Sequence, residues 1–341
     1  MFASFAGLGY KSRFVTKPKK FSSEIMQLYR SLDDIKKPFN KAVVTIGNFD
    51  GVHLGHQLLF KEVVTRAAKN HGTSVVVTFD PHPLKVLRPE GIKLISCIEQ
   101  KIDLIRQADI DVLIVIPFNL EFAKTTAPDF VDNILVDTIG VNELVVGYDY
   151  AFGRGRQGNI DFLREQGREK GFPVTVVEAH HEAGMLVSST KIRELVMEGR
   201  MRDVRKLLGR HYQIHGEVQR GRQRGGSEVG FPTANLKIYE EDLCPKKGVY
   251  VTQVIYGGNV YGAVSNIGYN PTFGENELVA ETHIFDFNHD IYGHPITINM
   301  LRFIRGEKKF ASVEELSDQI RRDIEVARKE LEKYPVPENE A

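Results

Sequence analysis

Thr45-Ile46-Gly47-Asn48-Phe49-Asp50-Gly51-Val52-His53-Leu54-Gly55-His56 is the stretch on which the reading of this chain turns. It is entered from Ala42–Ile46, a β-branched-rich apolar run that reads as a strand buried on both faces. It leaves through Leu58, Leu59, Val63 and Ala67, whose spacing predicts a helix over 56–69. Gly47 and Gly51 let the backbone turn tightly, and Gly55 lets a ligand approach the helix start with no side chain in the way. A helix N-terminus there offers unpaired N–H groups and a positive dipole end, a ready phosphate site. Gly47, Asn48, Phe49, Asp50 and Gly55 are the residues placed around it. His53 and His56, three apart, project from one face. Two imidazoles beside a triphosphate stabilise charge on the α-phosphate and on departing pyrophosphate. Read as a transition-metal pair, the same histidines lack a third convergent ligand nearby.

Outward from this turn, short apolar runs at 74–79, 112–116, 144–146 and Val174–Val177 read as further strands. Helical spacing over 98–107, 128–137 and Ile160–Lys170 falls between them. Strand and helix in alternation predict an α/β unit with a parallel sheet, and ligands in such sheets bind beyond the carboxyl ends of the strands. Two short helices, at 188–198 and 202–208 with Gly199 between them, close this part. Ser188-Ser189-Thr190-Lys191-Ile192-Arg193 stands at the first helix start, where the hydroxyls are either N-caps or, with the guanidinium, donors to phosphate oxygens.

After residue 211 the texture changes. Runs at 211–218, 249–256, 260–266, 279–287 and 296–303 are strand-like and separated by Gly, Asn and Pro turns, which predicts an antiparallel barrel or sandwich. Val313–Leu331 reads as one long charged amphipathic helix. Gly230-Phe231-Pro232-Thr233-Ala234-Asn235-Leu236, taken alone, is a turn leading into a strand.

Composition narrows the function classes. The chain has 341 residues, enough for two domains. Lys plus Arg and Asp plus Glu are both 45, so no basic field points to nucleic acid as a partner. No apolar run reaches membrane-spanning length. Cys97 and Cys244 lack metal-ligand or redox spacing and read as free thiols of a reducing compartment, the cytoplasm. The first 25 residues carry Lys11, Arg13, Lys17, Lys19 and Lys20 with no acid before Glu24. They read as a disordered extension, a targeting leader, or the product of an upstream start with Met26 the true beginning. The segments are thus 1–25, an α/β domain at 26–209, a β domain at 210–333 and a Pro- and Glu-rich tail at 334–341. Assembly into homo-oligomers is compatible with the sequence.

His53-Leu54-Gly55-His56, followed much later by Ser188-Ser189-Thr190 and Arg193, resembles the nucleotidylyltransferase superfamily, which implies a Rossmann-like N-terminal domain. Within it, Thr78-Phe79-Asp80-Pro81-His82-Pro83 and Val146-Gly147-Tyr148-Asp149-Tyr150-Ala151-Phe152-Gly153 resemble the FMN adenylyltransferase module of prokaryotic FAD synthetases. The resemblance implies that Asp80, Pro81, His82, Asp149 and Phe152 contact flavin. In the C-terminal half, the segment at 230–236 is joined by Pro245-Lys246-Lys247-Gly248-Val249-Tyr250, Ser265-Asn266-Ile267-Gly268-Tyr269-Asn270-Pro271-Thr272-Phe273 and Glu281-Thr282-His283-Ile284-Phe285-Asp286-Phe287. This series resembles the riboflavin kinase module, a small closed β-barrel.

The resemblance implies that Thr233 and Asn235 hold Mg²⁺ against ATP, an ion that uses few protein oxygens beside phosphates. It also implies that Glu281 is the base for the ribityl 5′-hydroxyl; without its motif neighbours Glu281 reads as an exposed strand residue. Together the modules match a prokaryotic-type bifunctional riboflavin kinase/FAD synthetase family. The implied substrates are riboflavin, FMN and ATP, with catalysis by His53, His56, Arg193 and Glu281. One departure is at Arg220–Gly230, one residue longer than the family's Gly-Arg turn and with Gly226 in the arginine's place, leaving Arg222 or Arg224 to supply the charge. The competing expectations are an FMN adenylyltransferase with an impaired kinase and a catalytically inactive flavin-binding regulator.

Overall fold

The computed structural model describes residues 26–220, 231–269 and 277–334. The basic N-terminal stretch, the irregular turn at 221–230 and all but the first residue of the tail lie outside the described residues.

Six parallel strands make the first sheet: β1 (Gln27–Tyr29), β2 (Ala42–Ile46), β3 (Ser74–Asp80), β4 (Val112–Pro117), β5 (Val141–Gly147) and β6 (Val174–Val177), in the order β1-β4-β3-β2-β5-β6. Successive side chains point to opposite faces, so each central strand feeds two cores. Val44, Val77, Ile114 and Val146 pack on one side, under Phe130, Leu135 and Leu163. Val43, Val76, Leu113 and Val145 pack on the other, under α1 (Leu54–Asn70) through Phe60 and Val63, and under Ile102 and Ile105. Each such buried aliphatic side chain contributes about 1.5–3 kcal/mol. β6 departs from the expected burial on both faces. It is the edge strand, paired only with β5, and all four of its residues are half-buried.

The helices are α2 (Pro83–Leu87), α3 (Ile98–Arg106), α4 (Ala127–Asp129) and α5 (Ile160–Lys170). The helix expected at 128–137 begins as α4, capped by Thr126, whose hydroxyl accepts from the Asp129 N–H. It then continues as a π-wound stretch over Phe130–Ile139 and ends at Gly140, whose φ of 74° suits glycine. Its buried residues are Phe130, Val131, Ile134, Leu135 and Ile139.

A small hairpin, β7 (His181–Glu182) and β8 (Met185–Leu186), precedes α6 (Ser189–Met197) and α7 (Met201–Leu208). These two helices also pack on the second sheet: Leu195, Val204 and Leu207 belong to one hydrophobic cluster with Leu236, Tyr250 and Ile298. That sheet is antiparallel and contains β9 (Tyr212–Glu217), β10 (Ala234–Lys237), β11 (Gly248–Tyr256), β12 (Asn259–Tyr269), β13 (Leu278–Ile284) and β14 (Pro295–Arg305). Its order is β10-β13-β12-β11-β14-β9. The Gln219 N–H donates to the Asn235 carbonyl at 2.9 Å, bringing the two ends together into a barrel. β10 is the strand into which the Pro232-Thr233 turn leads. Inside the barrel a chain of buried hydroxyls runs Thr252–Ser265–Thr282 with 2.8 Å spacings. The last helix, α8 (Val313–Leu331), covers Val249, Val251, Val264 and Leu301 on the outer face through Ala327.

Candidate active sites

The decisive turn sits at the carboxyl end of β2, with β3 on one side and β5 on the other. β2 lies where the strand order reverses direction, which is where open α/β sheets form their ligand crevice. Phe49 and Val52, at φ of 47° and 40°, take left-handed backbone, so the turn is held against its own conformational cost of ~1–3 kcal/mol per residue. The hold comes from buried Asp50. Its carboxylate accepts the N–H groups of Ile95 and Ser96 at 3.1–3.2 Å and pairs with Arg193 of α6. Arg193 Nε in turn donates to the Lys93 carbonyl at 2.8 Å, and Ser189 Oγ donates to the Asp50 carbonyl at 3.0 Å. The early Gly-rich turn and the late Ser-Ser-Thr-Lys-Ile-Arg segment, some 140 residues apart in the chain, are thus one site.

His53 is the N-cap of α1. Its Nδ1 accepts the His56 N–H at 3.3 Å, which puts its own proton on Nε2. The two rings stack at 3.5 Å between centroids, and Phe49 meets His56 edge-on at 5.1 Å. A Cβ on Gly55 would come within 3.2 Å of the His53 ring, so the glycine makes room for the imidazole. Gly47 has a second reason of the same kind, since a Cβ there would lie 2.8 Å from the Phe49 ring. Burial, then the charges of Arg210 and Arg193, bring His53 down to about 4. Burial, then His53 and Lys101, hold His56 well below its ordinary value. Both imidazoles are therefore neutral at neutral pH and offer N–H groups in place of full charges. His56 Nδ1 is buried with no hydrogen-bond partner.

Burial pushes the Asp50 carboxyl up, opposed by the Arg193 charge and the two N–H groups. Among the remaining expected residues, Ser188 Oγ caps α6 by accepting from Lys191 N–H, and Thr190 is exposed. Asn48 points its carbonyl at Thr78 Oγ1 and Lys101 Nζ.

The residues expected at flavin lie on the neighbouring strand ends. Asp80 ends β3, Pro81 follows, and buried His82 caps α2 by accepting the Leu84 N–H at 3.1 Å. Asp149 is exposed beyond β5. Phe152 stacks on Tyr150 at 5.6 Å and packs against Phe130 at 5.2 Å. Sequence reasoning missed Arg210, a half-buried cation reaching toward the Val52 carbonyl and lowered by desolvation to about 10. It follows the α7 cap with no motif around it.

In the barrel, Asn235 of β10 is directly opposite Glu281 of β13, which is opposite Asn266 of β12. Alternation puts all three on the outer face, the face α8 covers further along. Asn235 is buried, and its Oδ1 has no hydrogen-bond partner. An amide oxygen desolvated in this way is costly unless a ligand meets it, and a hard divalent cation suits it. Thr233 lies beside a cavity of about 230 Å³ whose walls include Ala234, Thr282, Ile291 and Tyr292. Among the described residues no group of three or more His, Cys, Asp or Glu could hold a metal, and no helix is long and apolar enough to cross a membrane.

Comparison with known proteins covers both halves. Residues 35–191 match the family model for FAD synthetase, and residues 208–331 match that for riboflavin kinase. A bifunctional riboflavin kinase/FMN adenylyltransferase of Listeria monocytogenes is 36% identical over 82% of this chain and 90% of its own. The enzyme of the same description from Escherichia coli K12 is 34% identical over 89% of this chain and 97% of its own. A solved structure from Streptococcus pneumoniae, described as a macrolide-efflux protein, has a TM-score of 0.80 at 32% identity and covers 89% of this chain and 99% of its own. With both family models matched in order and relatives at 34% and 36% identity covered nearly end to end, the chain belongs to the bifunctional riboflavin kinase/FMN adenylyltransferase family.

Proposed function

We propose that the barrel transfers the γ-phosphoryl group of ATP to riboflavin, giving FMN and ADP, and that the parallel-sheet site joins FMN to the adenylyl group of a second ATP, giving FAD and pyrophosphate. The functional boundary falls at residues 209 and 210. The observation that carries the reading is the convergence of the His53–His56 stack, the Asp50-held turn and Arg193 in one place, with Asn235 and Glu281 paired separately in the barrel.

At the sheet, the attacking atom is a phosphate oxygen of FMN, so no side chain need become a nucleophile. The protein's task is to fix the triphosphate and neutralise charge on pyrophosphate as it departs. Gly47 to Asp50 supply backbone, His53 and His56 supply N–H groups, and Arg193 supplies a fixed guanidinium. Asp80, Pro81, His82, Asp149 and Phe152 would place the flavin end. An approaching triphosphate raises the proton affinity of both imidazoles. At the barrel, Glu281 accepts the proton of the ribityl 5′-hydroxyl as that oxygen attacks phosphorus. Thr233 and Asn235 would hold Mg²⁺, which when bound neutralises γ-phosphate charge. The cavity beside Thr233 supplies room for part of the nucleotide.

One incubation of the protein with riboflavin, ATP and Mg²⁺, its products separated by chromatography, tests the proposal. FMN and FAD both form if it is right. FAD obtained only from added FMN removes the kinase, and no flavin turnover removes both activities.

A further inference from the structure

α3 carries a buried ammonium for which the scheme above has no use. Lys101 is 6% exposed. Its Nζ donates to the Asn48 carbonyl at 3.2 Å, to Thr78 Oγ1 at 3.3 Å and to the Phe79 carbonyl at 3.2 Å. All three acceptors are neutral and lie at or just beyond the carboxyl ends of β2 and β3. The carboxylates that act on it, Asp50 and Asp80, do so through space. Asp50 already has Arg193 and two N–H groups as direct partners. A buried cation with no ion pair at hydrogen-bond distance is expensive to keep. It is retained against the turn that follows β2, whose Asn48 carbonyl it holds.

We propose that Lys101 is a positioning residue for adenylyl transfer: it ties the Asn48 turn to the end of β3 and supplies a fixed positive charge for the ATP phosphates. Resting on the adenylyltransferase reading of this site, the inference adds a group that touches no substrate. It acts through the Asn48 and Phe79 carbonyls and through its field, which the low-dielectric surroundings leave poorly screened. The groups facing it are Asp50 of the turn, Asp80 of β3, His56 of α1 and His82 before α2.

The test uses the full chain and follows FAD formation from supplied FMN, a reaction that the kinase site does not contribute to. Lys101→Met and Lys101→Gln should raise the KM for ATP roughly tenfold or more and leave the KM for FMN within twofold. Lys101→Arg should recover most of the loss. Gln can still donate hydrogen bonds, so a Gln variant as impaired as Met assigns the effect to charge. An unchanged KM for ATP in folded Met and Gln variants overturns the proposal, as does an equal loss toward ATP and FMN. Should neither neutral variant fold, the native enzyme decides. Burial lowers the Lys101 pKa, so the KM for ATP should climb on the alkaline side as the ammonium deprotonates. In Lys101→Arg it should stay level over that range, and matching profiles overturn the proposal. Native protein that makes no FAD from FMN at all removes the underlying reading, a result distinct from any of these.

Discussion

Single titrating side chains give this protein a pH dependence whose sign follows from their burial. His53 and His82 are 6% and 7% exposed, and burial lowers each to about 4. Unfolded, each titrates near 6.5, so between those values the unfolded chain binds more protons. Stability is therefore complete above pH 6.5 and is lost as pH falls toward 4, by up to ~3 kcal/mol per histidine. Asp50, pushed up by burial, has the opposite slope, losing its contribution as pH rises through its folded value. Glu330, which Lys333 and Arg202 bring down to about 2 against its burial, acts only below pH 4.5. The urea midpoint should fall between pH 7 and pH 4.5. His82→Asn, which keeps an N-cap acceptor, should flatten that fall; an equally steep profile in the variant would show that His82 is not its source. Much of the candidate site was legible at this scale, because Gly47 to His56 is continuous in sequence and carries its chemistry in order. The Asp50–Arg193 pair was not legible as a pair, since only folding joins residues so far apart. Lys101 had left one trace: it lies three residues after Ile98 and four before Ile105, on the buried stripe of α3.

Elements were legible where a β-branched apolar run or a repeat of 3.6 ran without interruption. Ala42–Ile46, Val174–Val177, Ile160–Lys170 and Val313–Leu331 have the bounds that their apolar runs and spacing predict. β1 is three residues long and too short for alternation to show. The π-wound Phe130–Ile139 was read within an ordinary helix over 128–137, because its buried Val131, Leu135 and Ile139 stand four apart, a spacing an α-helix also buries. In the barrel, the inward Thr252, Ser265 and Thr282 are polar residues in strands whose other inward positions are apolar, and only the fold shows that they satisfy one another. Ser265 is the middle member and is 1% exposed. Ser265→Ala leaves two buried hydroxyls without their shared partner and should cost roughly 1–3 kcal/mol in denaturant unfolding. Ser265→Cys, which keeps a weak donor and acceptor, should cost less. Equal stability of the alanine variant and the native chain would show the chain of hydroxyls to be energetically idle.

At the scale of the molecule the two halves are joined through the adenylyltransferase turn itself. The segment that supplies Ile95 and Ser96 to Asp50 also pairs with the barrel side: Leu94 N–H donates to the Glu241 carbonyl, and its own carbonyl accepts from Leu243 N–H, both at 2.8 Å. Lys93 Nζ donates to the Glu240 carbonyl. Arg202 of α7 and Arg302 of β14 share Glu330 of α8. In the proposed scheme each reaction nevertheless has its own phosphate-handling residues. The central claim is that one chain carries two separable sites, and Glu281→Gln in the full-length protein tests it most directly. With riboflavin, ATP and Mg²⁺ the variant should make no FMN. With FMN in place of riboflavin it should make FAD at close to the native rate. Loss of FAD formation from FMN in this folded variant, or continued phosphorylation of riboflavin, would contradict the account.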